Sequence, residues 1–146
     1  MFNPTRDQAR DFFFDAWRKY RQPQAVPELL TPLERIAVEI VAQHPEYHAL
    51  LENSEKHRDA DYAPEQGQTN PFLHLGLHMA LHEQLSINQP PGIRTLYAEL
   101  SKKCASVHHA EHEMMDCLAE TIWQAQRNRI PPDTAFYEKC LRQKLG

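Results

Sequence analysis

Histidine pairs at helical spacing are the feature of this chain with the clearest capacity for chemistry. Four pairs among its nine histidines are four residues apart: His44/His48, His74/His78, His78/His82 and His108/His112. Residues i and i+4 lie one turn apart on the same face of an α-helix. Two imidazoles placed in this way can reach one metal ion, as on the metal-binding helix of zinc proteases. The spacing therefore points to a metal site.

The apolar residues around these pairs predict that they face inward. Leucines set the apolar stripe of the helix that contains His74 and His78, and both histidines fall within that stripe. His108 and His112 fall within the apolar stripe of the last long helix in the same way. His44 and His48 do so in the segment around Pro45, provided that the helix continues past this proline. We therefore expect a shared interior site with these metal ligands: His44, His48, His74, His78, His108, His112 and Glu111.

The ligand types limit which metal such a site would hold. Burying six imidazoles is costly unless each finds a partner, and a metal ion satisfies several at once. Imidazole suits zinc, iron, copper or nickel, whereas magnesium and calcium prefer oxygen. We expect iron or zinc first, with nickel or copper as alternatives, in a zinc-type site or in a di-iron site bridged by a carboxylate. Whether His82 or Asp116 joins the site stays open.

Catalysis is left open by the sequence. A hydrolytic mechanism would need an open coordination position and a base, for which Glu111 and Glu113 are both available. The chain has no nucleophile signature, phosphate-binding loop or dinucleotide fingerprint. No substrate is therefore indicated.

Helix signals predict an all-α bundle of five or six helices without a sheet, in one domain over residues 1–146. The first helix should start at Pro4 and end near Arg21, with Phe13, Ala16, Trp17 and Tyr20 inward. A capping box at Thr31 and Glu34 should start the next helix. Further helices are expected from Pro71 to about Ile87, Ile93 to about Lys102, and Ser106 to about Arg129, with a terminal helix capped by Asp133. Residues 56–69 should form a polar, mobile loop.

Composition bears on location and partners. The net charge of −4 and the absence of a basic cluster argue against binding to nucleic acid or anionic membranes. The opening MFNPTRDQAR lacks a signal-peptide pattern. The number of cysteines is odd, three, and their spacing shows no pairing, which argues against a disulfide framework. These features favour a reducing cytoplasm. A protein partner or a homo-oligomer is compatible with the sequence.

Several segments resemble an uncharacterised bacterial family known as a domain of unknown function. They are FNPTRDQARDFFFDAWRKY, HPEYH, NPFLHLGLHMALHEQLSINQPPGIR and AEHEMMDCLAETIWQAQR, and the similarity covers nearly the whole chain. The resemblance implies a bacterial cytosolic protein but brings no activity or site residues. In general plan the chain is also similar to the hemerythrin-like and DinB-like metal-binding bundles, without matching their ligand spacings.

A second interpretation needs no metal. The inward histidines and Glu111 could form a buried hydrogen-bonded network in a helical interaction or scaffold module. Metal analysis of protein purified without a histidine tag separates the two interpretations.

Overall fold

The fold is helical throughout the residues that the computed structural model describes, which are 6–21, 30–57 and 70–146. Six long helices and three short helical segments lie in these ranges, and no strand occurs in them. The α-helices are α1 (Arg6–Arg21), α2 (Pro32–Ala42), α3 (His48–Leu51), α4 (Ser54–His57), α5 (Pro71–Ile87), α6 (Ile93–Cys104), α7 (Val107–Asn128) and α8 (Thr134–Leu145). A 3₁₀ turn, Pro45–Tyr47, precedes α3. The all-α prediction is confirmed; the short segments bring the number of helices above the five or six expected.

The helix starts follow the capping residues in the sequence. The Thr31 hydroxyl accepts the Glu34 backbone N–H at 3.1 Å, and the Thr31 N–H donates to the Glu34 carboxylate at 3.0 Å. These two bonds are the predicted capping box. Ser106 caps α7 and Asp133 caps α8 through one side-chain bond each. Each cap satisfies backbone N–H groups that the first helical turn leaves without a partner.

Contacts along the chain divide it into two compact units, Met1–Met79 and Ala80–Gly146. In the first unit, α1 and α2 pack on each other, joined by an ion pair of 3.0 Å between Lys19 and Glu34. Among the described residues of this unit, twelve buried side chains form the core: Phe13, Phe14, Ala16, Trp17, Ala37, Val38, Ile40, Val41, Leu51, Phe72, Leu75 and Met79. Tyr20, expected on the inner face of α1, is instead 51% exposed.

The second unit is built from the end of α5 together with α6, α7 and α8. Its buried apolar residues include Leu81, Ile93, Leu96, Leu100, Met114, Met115, Leu118 and Leu141. The Tyr137 hydroxyl donates to the Gln84 side chain at 2.7 Å. Within each unit the buried positions follow the helical period, which is why the sequence pattern reveals the apolar stripes. That the chain acts as one domain stays a prediction.

A disulfide joins Cys117 of α7 to Cys140 of α8. The expectation that the cysteines stay unpaired is wrong for these two, and Cys104 alone among the three is a free thiol. The pair was not recognisable because the two residues are 23 positions apart on different helices. The cysteine argument for a reducing compartment therefore loses its basis.

Two boundaries differ from those expected, and a third lies outside the described residues. The segment predicted as a loop from Lys56 begins within the helical turn Ser54–His57, while residues 58–69 lie outside the described ranges. The expected start of α1 at Pro4 also lies outside them. Helix α6 continues two residues beyond Lys102, to Cys104. Among the described residues, no helix is both long enough and apolar enough to cross a bilayer.

Candidate metal centre

The end of α2 positions the first histidine of the site. Pro45 has no backbone N–H, so it cannot donate to the Val41 carbonyl four residues earlier. Helix α2 ends at Ala42, and the chain resumes with the 3₁₀ turn after His44. The His44 Nδ1–H donates to the Ile40 carbonyl and the His48 Nε2–H donates to the Val41 carbonyl, each at 2.8 Å. Two imidazoles thus cap the C-terminal carbonyls of α2.

The start of α5 positions the second and third histidines. The Asn70 side-chain oxygen accepts the backbone N–H groups of Phe72 at 3.0 Å and Leu73 at 3.2 Å. The helix that begins here places His74 and His78 one turn apart on the same face. Their ring centroids are 5.0 Å apart. Both belong to the first unit, as does His44.

These three histidines converge through their Nε2 atoms. The Nε2 of His44 lies 3.1 Å from that of His74 and 3.3 Å from that of His78. The His44 ring centroid is 4.9 Å from that of His74 and 4.8 Å from that of His78, with edge-on orientations. The three rings therefore form a nearly equilateral group, with candidate ligand atoms within 4.8 Å of one another.

The hydrogen bond to Ile40 determines what His44 can offer to its neighbours. A carbonyl only accepts, so the proton of neutral His44 resides on Nδ1 and Nε2 carries a lone pair. That one lone pair faces two other Nε2 atoms at 3.1 and 3.3 Å. Imidazoles bound to one tetrahedral ion at 2.0–2.1 Å have nitrogens about 3.3 Å apart. The spacing is thus compatible with one metal ion bound by these nitrogens.

Burial differs among the three histidines of the cluster. His78 is 0% exposed and His44 is 2% exposed, while His74 is half-buried. Tyr47 stacks on His44 with ring centroids 5.5 Å apart, and burial, followed by the charge of Glu46, raises the pKa of the Tyr47 phenol. His74 therefore marks the more accessible side of the group.

His48 lies elsewhere in the first unit. Besides its bond to the Val41 carbonyl, its ring packs against Trp17 with centroids 4.6 Å apart. Of the two candidates from the Pro45 segment, the structure brings His44 into the cluster. At Pro45 the chain has a helix end, a turn and a restart rather than one continuous helix.

The remaining predicted ligands belong to the second unit. Glu111 is 6% exposed; it accepts a long hydrogen bond of 3.4 Å from the Tyr97 hydroxyl and lies 3.7 Å from His82 Nε2. Burial and then the Glu111 charge raise the pKa of Tyr97 to about 12. The rings of His108 and His112 pack with centroids 4.2 Å apart. That His108, His112 and Glu111 bind the metal stays a prediction.

The sequence analysis missed three contributors: the backbone carbonyls of Ile40 and Val41, and the side chain of Tyr97. The backbone carbonyls of Ile40 and Val41 orient histidines, and the signal for this was present: Pro45 leaves the Val41 carbonyl without its usual donor. Tyr97, the partner of Glu111, gave no signal, because the two are 14 residues apart on different helices.

Comparison with known proteins identifies the family without assigning an activity. No curated protein and no solved structure matches the chain. A family model described as Domain of unknown function (DUF1841) matches residues 5–143, which confirms the family resemblance seen in the sequence. The chain, matched over nearly its whole length, therefore belongs to the DUF1841 family.

Proposed function

We propose that this protein binds one divalent transition-metal ion through the Nε2 atoms of His44, His74 and His78. The observation that carries the proposal is the pair of Nε2–Nε2 distances, 3.1 and 3.3 Å, around His44. These distances match the spacing of about 3.3 Å that nitrogens have around a tetrahedral ion. Metal-bound histidines generally donate their other ring N–H to a carbonyl or carboxylate, as His44 does to Ile40.

The donor set favours zinc. Neutral imidazole suits zinc, copper, nickel and iron, whereas carboxylate-bridged di-iron centres need acidic ligands. The group of candidate ligands found among the described residues consists of histidines only. Zinc is therefore our first expectation, ahead of iron, and a single ion is expected rather than a di-iron pair.

Further ligands remain part of the proposal. The sequence analysis also expects His48, His108, His112 and Glu111 among the ligands, and these four stay predictions. His48 already uses its Nε2 as a donor to Val41, which leaves Nδ1 as its remaining ring nitrogen. Single substitutions of these residues would show which of them contribute to binding.

The test is zinc binding by full-length protein purified without a histidine tag. His78→Ala should lower zinc affinity by at least about 100-fold, because loss of a ligand exceeds the 10–100-fold cost of losing an orienting group. His44→Asn is the sharper variant. Its amide N–H can replace the Nδ1–H donor to Ile40, while nothing replaces the Nε2 ligand.

His109→Ala is the matched control, since this side chain is 61% exposed and contacts Glu113 on the surface. Zinc affinity in this variant should equal that of the wild type. If the wild-type protein neither contains nor takes up any metal, the proposal is wrong. The buried histidines would then act as a polar network in an interaction module.

A further inference from the structure

We infer that His48 is a positioning residue for the metal site: it acts on His44 through the Val41 carbonyl and does not bind the ion. This role rests on the proposed function. It differs from the ligand role that the four-residue spacing of the two histidines predicts.

The Val41 carbonyl connects the two histidines. In a continuous helix this carbonyl would accept the backbone N–H of residue 45, which is a proline and has none. It accepts two other donors instead, the His44 backbone N–H at 2.9 Å and the His48 Nε2–H at 2.8 Å. A carbonyl oxygen has two lone pairs, so these two bonds use both. The His48 ring therefore fixes the direction of the same oxygen that holds the His44 backbone.

The His44 side chain depends on the same helix end. Its Nδ1–H donates to the Ile40 carbonyl at 2.8 Å, and this bond leaves Nε2 directed at His74 and His78. Ile40 and Val41 are consecutive residues in the last turn of α2. If that turn unwound, the backbone N–H and the Nδ1–H of His44 would both lose their acceptors. Holding the Val41 carbonyl in place therefore holds the metal-binding nitrogen of His44 in place.

The core of the first unit restrains His48 in turn. The His48 ring packs against Trp17 with centroids 4.6 Å apart, and Trp17 is 6% exposed within the core that α1 and α2 form. A ring packed in this way has lost rotamer freedom before the hydrogen bond forms, which lowers the entropy cost of the bond. The Nε2–H of His48 is thus kept directed at Val41.

The same hydrogen bond argues against His48 as a ligand. Its Nε2 carries the proton that Val41 accepts, so only Nδ1 has a lone pair for a metal ion. Among the residues that the structure describes, the histidines with ring nitrogens within 4.8 Å of one another do not include His48. The influence of His48 on the ion therefore passes through the end of α2.

The test compares His48→Gln with His48→Leu in full-length protein purified without a histidine tag. The Gln amide N–H can replace the Nε2–H donor, whereas Leu fills similar space without a donor. We expect His48→Leu to lower zinc affinity by about 10–100-fold, as when other groups that orient metal ligands are lost. His48→Gln should restore the wild-type affinity. Cobalt(II), whose visible absorption reports its ligands, should give wild-type bands at saturation in both variants.

An unchanged zinc affinity in His48→Leu, even with a lower melting temperature, would overturn the inference. Altered cobalt bands in both variants would also overturn it, because His48 would then be a ligand. If His48→Leu lost its helical circular dichroism, His48→Asn would replace it, since its amide is one carbon too short to reach the position of Nε2. A wild-type protein that binds neither zinc nor cobalt would instead defeat the proposed function.

Discussion

The two units hold their buried polar side chains in different ways. In the first, three imidazoles direct Nε2 atoms at one another, and His44 Nδ1 is fixed by a backbone carbonyl. In the second, the buried carboxylate of Glu111 lies beside the Tyr97 hydroxyl and His82. In the first group the His44 Nε2 lone pair faces two other imidazole nitrogens, whereas the second group places an acceptor among groups that can donate. The first arrangement is therefore the one that fits the proposed metal ion.

Cross-linking extends the contrast. The second unit has a covalent link between α7 and α8, Cys117–Cys140. In the first unit, a metal ion would link the end of α2 to the start of α5 through His44, His74 and His78. A reductant would break the disulfide and a chelator would remove the metal ion, so the effect of each link can be measured separately.

The largest expected effect follows from removing the covalent link. Cys140→Ala should lower the free energy of unfolding by about 3 kcal/mol, the loop-closure value for a separation of 23 residues. Thermal melting with and without reductant measures this effect. Reductant should destabilise the wild type and leave Cys140→Ala unchanged; an equal response of both proteins would show that the disulfide does not contribute.

Removing the metal should have a slightly smaller effect. Zinc at 100 times its dissociation constant stabilises the native state by about 2.7 kcal/mol relative to chelated protein. For a chain of this length, that corresponds to a rise of roughly 8 °C in melting temperature. His44→Asn should show no zinc-dependent rise. A wild-type melting temperature that is the same in zinc and in chelator would contradict the proposed site.

The helix end at Pro45 gives the next effect. Pro45→Ala restores a backbone N–H that competes with His48 for the Val41 carbonyl and lets α2 continue, which would misorient His44. Zinc affinity should fall by about 10–100-fold, as when other orienting groups are removed. Pro32→Ala is the matched control, because a proline in the first turn of a helix replaces an N–H that has no helical partner. Equal affinity in both variants would exclude a positioning role for Pro45.

The smallest effect concerns Tyr97 in the second unit. The pKa of the Tyr97 phenol is raised from 10.0 to about 12 in the folded protein. The contribution of Tyr97 to the free energy of unfolding is therefore complete below pH 10 and is lost as the pH rises through about 12. Tyr97→Phe should therefore lose less stability than the wild type over this interval, as measured by denaturant unfolding. In Glu111→Gln the Tyr97 pKa should fall but stay above 10, because burial is the larger cause. Identical pH profiles for wild type and Tyr97→Phe would contradict this account.

Local rules in the sequence determined much of this protein. Capping residues at Thr31, Asn70 and Asp133 mark helix starts that the structure confirms. The four-residue spacing of His74 and His78 was enough to place both on one helix face, since that relationship depends only on helical geometry. Pro45 likewise predicts a break or a kink, because a proline lacks the N–H that a continuous helix needs at that position.

Which groups meet across helices was decided by tertiary structure. His44 joins His74 and His78 over separations of 30 and 34 residues, and Cys117 meets Cys140 over 23. His48 lies four residues after His44 in the same predicted pair, but its ring packs against Trp17 instead. Periodicity gives the face on which a side chain lies, but not the rotation and distance of the neighbouring helix. Those depend on how the apolar faces pack, and they determine which nitrogen atoms converge.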